Sequence, residues 1–572
     1  MQYILGVGTL LFALVAAYEP QCRSLPGDVQ WPRQNLWDRL NATVDGQLIA
    51  AVPLASVCHD PQYNETACAV LQKWWSWARY HENSPTSVMT PWFQDQECSP
   101  YTSVSTPCQL GNIVAYSINV SSAADVQAGI NFTQKNNVRL VIKNTGHDYM
   151  GKSTGKGGLG LWMHNLNAIE VLSNYSSPNY QGPALKLGAG VVTSAAYEAA
   201  NQHGLRIVGG DCPSVGIAGG FTQGGGHSIL SSQYGMGADQ VVEWEVVTAT
   251  GVHLIASPSQ NADLYWALSG GGPGTYGVVI SMTIRAYSDA GVVGGASLAI
   301  SSTGLAPSVY WGAIRKWHEM LLPMTNAGAS VNYLVTSSAL TVEAITLVNG
   351  TADDIRTLLQ PLFVYLSRSN VTQAAYTAKM TTSTDFLSHY LRYFGPLPDG
   401  AFATAQLVGG RLVPQSILQD PSSLSDLMAL LRNITVSTSF YIAGFAANLS
   451  ITASRSPVAF NAVLPAWRET GVSLILPSVW NFTLPRSVEV QRELQLTNNL
   501  EPQLRKLTPG SGTYLNEANF MLRTWKEDFY GANYDRLRAI KKKYDPEDLF
   551  YAHSAVGSDV WTVADNGRMC RS

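Results

Sequence analysis

Short apolar runs and amphipathic stretches alternate across residues 111–287. Residues 118–137 combine a β-type run with serine and aspartate at a helix start and an amphipathic helix, and the apolar run 139–143 follows. Residues 184–211 repeat this unit of strand, turn, helix and strand. The pattern predicts a first lobe in which short strands and helices alternate.

A different pattern occupies residues 291–500. Alternating stretches at 330–350 and 435–450 are separated by helix-like runs at 352–366 and 459–470. Alternation of this kind predicts an antiparallel sheet with covering helices, and so an α+β lobe.

The last segment, residues 501–572, again mixes the two patterns. Residues 511–520 are typical of a strand. Residues 533–550 predict a helix that ends at Asp545 and Pro546, because proline cannot continue it.

A glycine-rich loop follows the apolar run 139–143. Gly146, Gly151, Lys152 and Ser153 match the phosphate-loop pattern G-x-x-x-x-G-K-[ST] letter for letter. Such a loop must open a helix, whereas further glycines follow up to position 160 and predict none. The pattern therefore does not predict a nucleoside-triphosphate site. A loop of small residues after a buried strand still directs several N–H groups toward one anion, such as a diphosphate.

A second glycine-rich run, residues 208–226, contains Cys212, and the first loop contains His147 and Asp148. Two loops of this kind, one offering a histidine and the other a cysteine, indicate a large bound cofactor.

Composition fits a globular enzyme of at least two lobes, since the 572 residues are 46% hydrophobic and only 13% charged. The net charge of −4 gives no basic surface for nucleic acid or an acidic membrane. The expected partner is a small-molecule substrate, with neither nucleic acid nor membrane. The sequence contains no metal-binding motif, and we expect no metal site.

Residues 1–17 predict a signal peptide, because a short apolar run ends in small residues suited to cleavage. A buried N-terminal helix is the alternative. We expect a secreted, extracellular protein. Ten N-x-[ST] sequons, each usable only on a secreted surface, agree with this expectation: Asn41, Asn64, Asn119, Asn131, Asn174, Asn349, Asn370, Asn433, Asn448 and Asn481.

Seven cysteines are present, so one lacks a partner if the others pair. Cys212 is isolated between glycines and is the candidate free thiol. The suggested pairs are two local loops and one link between the termini, although the sequence alone allows 15 pairings of six cysteines. They are Cys58–Cys68, Cys98–Cys108 and Cys22–Cys570.

Four blocks of the chain, in order, resemble the vanillyl-alcohol-oxidase family of FAD-linked oxidoreductases, and among them the berberine-bridge-enzyme-like and fungal isoamyl-alcohol-oxidase-like members. These blocks are residues 144–151, 209–251, 274–284 and 530–550. The resemblance implies an α+β fold, in which a two-lobed PCMH-type FAD-binding domain contains an inserted antiparallel-sheet substrate domain.

The resemblance also implies a division of the chain. An N-terminal extension with disulfides, 18–108, precedes the FAD-binding part, 109–290. The substrate domain, 291–500, is followed by a return to the flavin domain, 501–572.

The cofactor that the resemblance implies is FAD, covalently bound through His147 to the flavin 8α carbon and through Cys212 to C6. The alternatives are a loop histidine bonded to Asp148 and a small buried cysteine. A valine at position 215 is implied to admit oxygen, with an ordinary core valine as the alternative. The full set implied to contact FAD is Asn144, Thr145, Gly146, His147, Asp148, Tyr149, Met150, Gly151, Cys212, Val215, Gly219, Gly220, Gly224, Val279, Asn533 and Tyr534.

The candidate catalytic base is Tyr514, which resembles the tyrosine of the family's Y-x-N motif and would need a neighbouring cation or hydrogen bond to lower its pKa. Glu517 is the second candidate, since it stands where the family often has another tyrosine.

The expected activity is oxidation of an alcohol-type C–H bond, with hydride transfer to flavin N5 and reoxidation by molecular oxygen to hydrogen peroxide. One alternative is a flavin-dependent dehydrogenase or cyclase that tailors a secondary metabolite. Another is a flavin-binding glycoprotein without turnover.

Overall fold

The structure is a computed structural model that describes residues 22–94, 97–398, 400, 405–451 and 460–572. The predicted signal peptide, residues 1–17, lies outside the described residues.

A small, mostly parallel sheet carries the first glycine-rich loop. Its strands, in spatial order, are Leu48–Ala50, Tyr116–Asn119, Leu159–Trp162 and Leu140–Lys143, and only the first is antiparallel to its neighbour. The helix Ala123–Asn136 connects two of them. It starts where Ser122 and Asp125 form a reciprocal cap and ends at Asn137, which is left-handed with φ 52°. The predicted strand and helix of residues 118–143 are thus present.

A five-stranded antiparallel sheet lies beside the second loop, which itself follows the separate short strand Leu205–Arg206. The strands are Ile169–Ser177, Tyr180–Gly188, Val278–Arg285, Val241–Val247 and His253–Ala256. Every residue of the central strand Val278–Arg285 is buried, which explains its continuous apolar run. Two helices of this region are Thr193–Asn201 and Ala262–Leu268.

Seven antiparallel strands form the third sheet. They are, in spatial order, Tyr376–Ser383, Val293–Ser301, Ala339–Val348, Ala329–Val335, Ile442–Ala446, Thr470–Val479 and Gln406–Pro414. The helices packed with it are Pro307–Asn326, Ala352–Arg368 and Pro421–Ser437.

The two faces of this sheet follow from the alternation in the sequence. Val331 and Val335 belong to the core shared with the helices, whereas Asn332 and Leu334 line a cavity on the opposite face. The sheet therefore forms one wall of that cavity.

Shorter elements complete the described part of the chain. The other helices are Gln34–Thr43, Glu65–Trp74, Ala78–Glu82, Pro91–Gln94, Ser231–Tyr234, Phe386–Phe394, Gln415–Gln419, Arg486–Gln495, Glu501–Leu507 and Tyr534–Tyr544. Two further strand pairs are Leu205–Arg206 with Tyr287–Ser288 and Trp561–Val563 with Met569–Arg571.

Two sequence predictions about elements are wrong. Residues 511–520 form no strand, because Gly512 and Thr513 bond single residues of the strand Gln406–Pro414 and the chain then turns, with the Glu517 N–H donating to the Tyr514 carbonyl at 3.0 Å. The described part of 459–470 forms only a short 3₁₀ turn, Pro465–Glu469, because Pro465 interrupts helix hydrogen bonding.

The cysteines pair as Cys22–Cys570, Cys58–Cys68 and Cys98–Cys108, and Cys212 is the free cysteine. Of the ten sequon asparagines, seven are exposed and Asn41, Asn119 and Asn448 are half-buried. Within the described ranges, no helix combines the length and the apolar character that crossing a membrane requires.

Candidate active site

A cavity of about 570 Å³ lies between the two glycine-rich loops and the face of the seven-stranded sheet that is turned away from its helices. Residues 144–150 and the run from Gly210 to Gln223 line one side. Leu334, Val408 and Ile475 of the sheet line the other, and Tyr514 to Glu517 also contribute to its wall. The volume suits a bound small molecule.

The first loop is shaped by two left-handed glycines and one aspartate. Gly146 has φ +90° and Gly151 has φ +70°, conformations that favour glycine. The Asp148 carboxylate accepts hydrogen bonds from the N–H groups of Met150 at 2.9 Å and Ser153 at 2.7 Å. No helix follows Ser153, and the next regular element is the strand Leu159–Trp162. The loop is thus rigid without being a nucleoside-triphosphate loop.

His147 and Cys212 meet at the cavity although 65 positions separate them. The Cys212 sulfur lies 4.0 Å from His147 Nε2, and the Ser214 hydroxyl is 2.8 Å from that nitrogen and 3.5 Å from the sulfur. His147 therefore pairs with Ser214, while Asp148 is occupied by the loop backbone, so the alternative of a His147–Asp148 bond is wrong.

Burial dominates the ionisation of both side chains. It lowers the pKa of His147 to about 3, with smaller contributions from His81 and Lys143. Burial raises the pKa of Cys212 to about 11, although hydrogen bonds with Ser214 partly oppose this rise. At neutral pH this site presents a neutral imidazole and a thiol.

Tyr514 lies in an environment that disfavours ionisation. Its hydroxyl accepts a hydrogen bond from Asn516 Nδ2 at 2.8 Å. Burial, and then the carboxylate of Glu517, raise the pKa of Tyr514 above its ordinary value. The hydrogen bond from Asn516, which by itself lowers the pKa of Tyr514, does not outweigh these effects.

Glu517 has a partner that the sequence did not reveal. Its two carboxylate oxygens lie 3.1 and 3.2 Å from His227 Nε2, and the Nδ1 on the other side of the ring lies 4.0 Å from the carboxylate of Asp211. Asn332 Nδ2 donates to that carboxylate at 2.6 Å. The imidazole thus lies between two acids on the cavity wall.

His227 and Asp211 were missed because they lie in or next to a glycine-rich run whose pattern indicates only backbone contacts with a ligand. The available signal was their position: Asp211 directly precedes Cys212, and His227 directly follows the glycines that end the second loop.

Most of the predicted cofactor residues line the cavity: Asn144, Thr145, Gly146, His147, Asp148, Tyr149, Met150, Cys212, Val215, Gly219, Gly220 and Val279. Gly151 and Gly224 lie behind this lining. A Cβ at Gly151 would be 2.3 Å from Phe93, and one at Gly224 would be 2.4 Å from Asn516 Nδ2. Both positions thus require glycine for close packing.

The structure places Asn533 and Tyr534 away from the cavity lining, against expectation. The Asn533 amide donates to the carbonyls of Ala462 at 3.2 Å and Val463 at 3.3 Å, and the Tyr534 hydroxyl is 3.3 Å from Asp559. Their side chains join the start of the C-terminal helix to neighbouring segments.

Two family models match this chain. Residues 114–257 match a model described as an FAD binding domain, and residues 513–557 match one described as berberine and berberine like. The VAO-type flavoprotein oxidase VAO615 of Thermothelomyces thermophilus is 46% identical over 563 residues, which span 97% of this chain and 96% of that protein. The chain belongs to the VAO-type family of FAD-linked oxidoreductases. It is therefore an enzyme, and its cofactor is FAD.

Other relatives agree with this assignment. The bifunctional decalin synthase calF of Penicillium decumbens is 44% identical over 555 residues, covering 96% of this chain and 95% of that protein. The crystal structure of VAO-type flavoprotein MtVAO615 from Myceliophthora thermophila C1 superimposes with a TM-score of 0.92 at 45% identity. The match covers 96% of this chain and 100% of that chain. The predicted α+β, PCMH-type fold is confirmed.

A more distant structure shares the fold alone. The glucooligosaccharide oxidase of Acremonium strictum, which carries a 6-S-cysteinyl, 8α-N1-histidyl FAD, is 20% identical with a TM-score of 0.63, covering 78% of this chain and 92% of that one.

The residues around the cavity fit FAD in this VAO-type protein. Lys152 Nζ, at the end of the first loop, is buried and has no hydrogen-bond partner among the described residues. Burial lowers its pKa to about 8, against the attraction of Asp148. The Asn144 side-chain oxygen is likewise buried without a partner in the described ranges. An anionic, hydrogen-bonding group such as a dinucleotide would satisfy these atoms.

Proposed function

We propose that this protein is a secreted FAD-dependent oxidase that converts an alcohol-type C–H bond into a carbonyl and releases hydrogen peroxide. The single observation that supports it most is the convergence of His147, Cys212 and Glu517 on one cavity. Bound FAD supplies the chemistry of hydride acceptance and of electron transfer to oxygen. The name of the relative VAO615, a flavoprotein oxidase, supports the same activity.

His147 and Cys212 hold the cofactor covalently in this proposal. The Cys212 sulfur and His147 Nε2 are 4.0 Å apart at the cavity wall, close enough for both side chains to reach one ring system. The same pair of residue types holds FAD in the glucooligosaccharide oxidase. The backbone of the Gly146–Gly151 loop, with Lys152 beside it, would hold the diphosphate.

The substrate hydroxyl donates its proton to a base on the cavity wall. Tyr514 and Glu517 both face the cavity, but the surroundings favour Glu517, since burial and a carboxylate keep Tyr514 protonated. Glu517 is an acceptor already paired with His227. We therefore assign the proton transfer to Glu517 and a hydrogen-bonding role to Tyr514.

The sheet wall positions the substrate and excludes water. Leu334, Val408 and Ile475 offer apolar contacts, and Asn332, Gln406 and Glu343 are the polar groups among them. A wall of this composition suits a substrate with an apolar body and few polar groups.

The test is peroxide release on a panel of alcohols, oligosaccharides and phenols under air. Turnover of alcohols with one peroxide formed per carbonyl produced supports the oxidase. Flavin that every alcohol of the panel leaves oxidised would overturn it.

A second candidate is a tailoring enzyme of secondary metabolism, favoured by the 44% identity to the decalin synthase calF. It predicts reduced flavin that is inert to oxygen but passes electrons to quinones, or a cyclised product without peroxide. The same panel, with a quinone acceptor added, separates the two.

Secretion and glycosylation belong to the proposal as well. The seven exposed sequon asparagines support it. Deglycosylation of protein collected from a culture medium should lower its apparent mass, and recovery of the protein only inside cells would overturn this part.

A further inference from the structure

His227 lies in the cavity wall between two acids and is only slightly exposed. Its Nε2 lies within 3.2 Å of both oxygens of Glu517, and its Nδ1 is 4.0 Å from Asp211. The ring stacks on Phe445 with centroids 4.2 Å apart and a tilt of 27°. Glu517, Asp211 and Phe445 therefore fix the plane of the imidazole, and Nε2 points at Glu517.

We propose that His227 is an imidazolium that keeps Glu517 ionised and aimed into the cavity, so that Glu517 can take the proton of the substrate hydroxyl. His227 is a positioning residue in this scheme, since it acts through Glu517. The inference rests on the proposed function, in which Glu517 is the base.

The charges around the ring favour a cation. The buried carboxylate of Asp211 and the carboxylate of Glu517, whose side chain is 23% exposed, lie on either side of the ring, and a positive charge between them stabilises the ionised form of each. Burial alone would lower the pKa of His227, but Glu517 and then Asp211 outweigh it and raise this pKa above its ordinary value. A neutral ring stacked on Phe445 would leave the two acids uncompensated.

Asp211 is itself held in place. Its oxygens accept from Asn332 Nδ2 at 2.6 Å and from the N–H of Ile229 at 3.3 Å. Burial raises the pKa of Asp211, against the attraction of His227. Asp211 therefore interacts with a positive charge on His227 through space, since the 4.0 Å separation is too long for a hydrogen bond.

The other titratable groups nearby carry no opposing positive charge. Tyr514 meets the imidazole edge-on with centroids 5.4 Å apart, and burial keeps its hydroxyl protonated. Glu343 lies near enough to Asp211 to feel its charge, and burial raises the pKa of Glu343 as well. Tyr149 feels the charge of Glu517, and burial keeps it protonated. Glu517 therefore depends on His227 for its compensating charge.

The reaction balances with these groups. The substrate O–H bond breaks and its proton forms an O–H bond on Glu517, while the C–H electron pair leaves as hydride to FAD and the C–O bond becomes a carbonyl. His227 keeps its proton throughout. After product leaves, Glu517 returns its proton to solvent.

The test is the pH dependence of anaerobic flavin reduction in His227→Gln, which keeps a hydrogen-bond donor and removes the charge. Without the cation Glu517 takes up a proton more readily. The acid limb of the profile should therefore move to higher pH, so that the rate at the acid end falls relative to the plateau. Above that limb the rate should approach the wild-type value.

His227→Lys restores a positive charge and should return the acid limb toward its wild-type position. His389→Gln is the control, because His389 is buried, packs against Tyr393 with the two rings tilted, and bonds Thr346 away from the cavity. It should leave the limb in place. If His227→Gln does not fold, His227→Asn removes the same charge in a smaller volume.

A loss of rate that is equal at every pH, with the limb unmoved, would overturn the role of His227. Failure of the proposed function looks different: in that case Glu517→Gln reduces flavin as fast as the wild type, whatever His227 does.

Discussion

At the scale of single residues, the site depends on side chains that come from distant parts of the sequence. Three segments that are far apart in the sequence contribute His147, Cys212 and Glu517, and all three side chains line one cavity. The identity of the first two followed from glycine-rich context and resemblance. His227 and Asp211 did not, because a histidine and an aspartate beside glycines have no periodicity, and their relation to Glu517 exists only in the fold.

The first prediction concerns covalent attachment. If His147 and Cys212 both bond the flavin, protein precipitated with acid stays yellow, since neither bond is acid-labile on that timescale. His147→Ala and Cys212→Ala should each weaken retention, and the double change should release all flavin. Absorbance of pellet and supernatant measures this, and free FAD from the wild type would contradict it.

The second prediction concerns the base. Glu517→Gln should slow anaerobic flavin reduction by about 10² to 10⁴, the usual range for a general base. Tyr514→Phe is the matched control, because it removes the buried hydroxyl with little change in volume and should slow reduction far less. The reverse order of effects in stopped-flow would make Tyr514 the base.

The third prediction concerns oxygen. Val215 lines the cavity three residues after Cys212 and is half-buried. Val215→Leu adds one methylene and costs about 1 to 3 kcal/mol if the site is overpacked, yet it should slow reoxidation far more than reduction. Val408→Leu, on the substrate wall opposite, is the control and should leave the rate of reoxidation unchanged. Equal slowing in Val215→Leu would leave this residue a core valine.

At the scale of elements, the helix-start signal and the alternating pattern led to correct predictions. Ser122 and Asp125 start the helix Ala123–Asn136, and the helix-like run 352–366 forms the helix Ala352–Arg368. The alternating residues 330–350 form the hairpin Ala329–Val335 and Ala339–Val348. Residues 511–520 alternate similarly but form no strand, since contacts with a distant strand override the local pattern.

The helical stretch from Arg486 to Leu507 leads to a prediction on pH and stability. Burial raises the pKa of Glu501 to about 8, against a hydrogen bond from Asn519. Because the pKa of Glu501 in the folded chain lies above its ordinary value of 4.5, the folded state binds this proton more tightly. The stabilisation of the folded state by this bound proton is complete below pH 4.5 and is lost as the pH rises through 8.

Glu501→Gln should therefore flatten the fall in stability between pH 5 and pH 8, by about 3 kcal/mol in free energy of unfolding. Calorimetry at the two pH values measures it. Glu198→Gln, at an exposed position of the helix Thr193–Asn201, is the control and should keep the wild-type slope. The same slope in wild type and Glu501→Gln would show that Glu501 ionises freely in the folded state.

At the scale of the whole molecule, the active site is an interface between three parts of the chain. The two glycine-rich loops and the sheets beside them supply the cofactor side, the seven-stranded sheet supplies the substrate wall, and Tyr514 to Glu517 close the cavity. The α+β architecture was predictable from the change of periodicity near residue 291. The composition of the wall was not, because its residues alternate with core residues on each strand and carry no motif.

The measurement that tests the account most directly is one stopped-flow experiment on the wild-type enzyme, in which an alcohol from the panel is mixed without oxygen and oxygen is then admitted. The account predicts that the flavin bleaches with the alcohol and recovers its colour with oxygen, forming one hydrogen peroxide per flavin. Flavin that no alcohol bleaches, or reduced flavin that persists in oxygen, would contradict it.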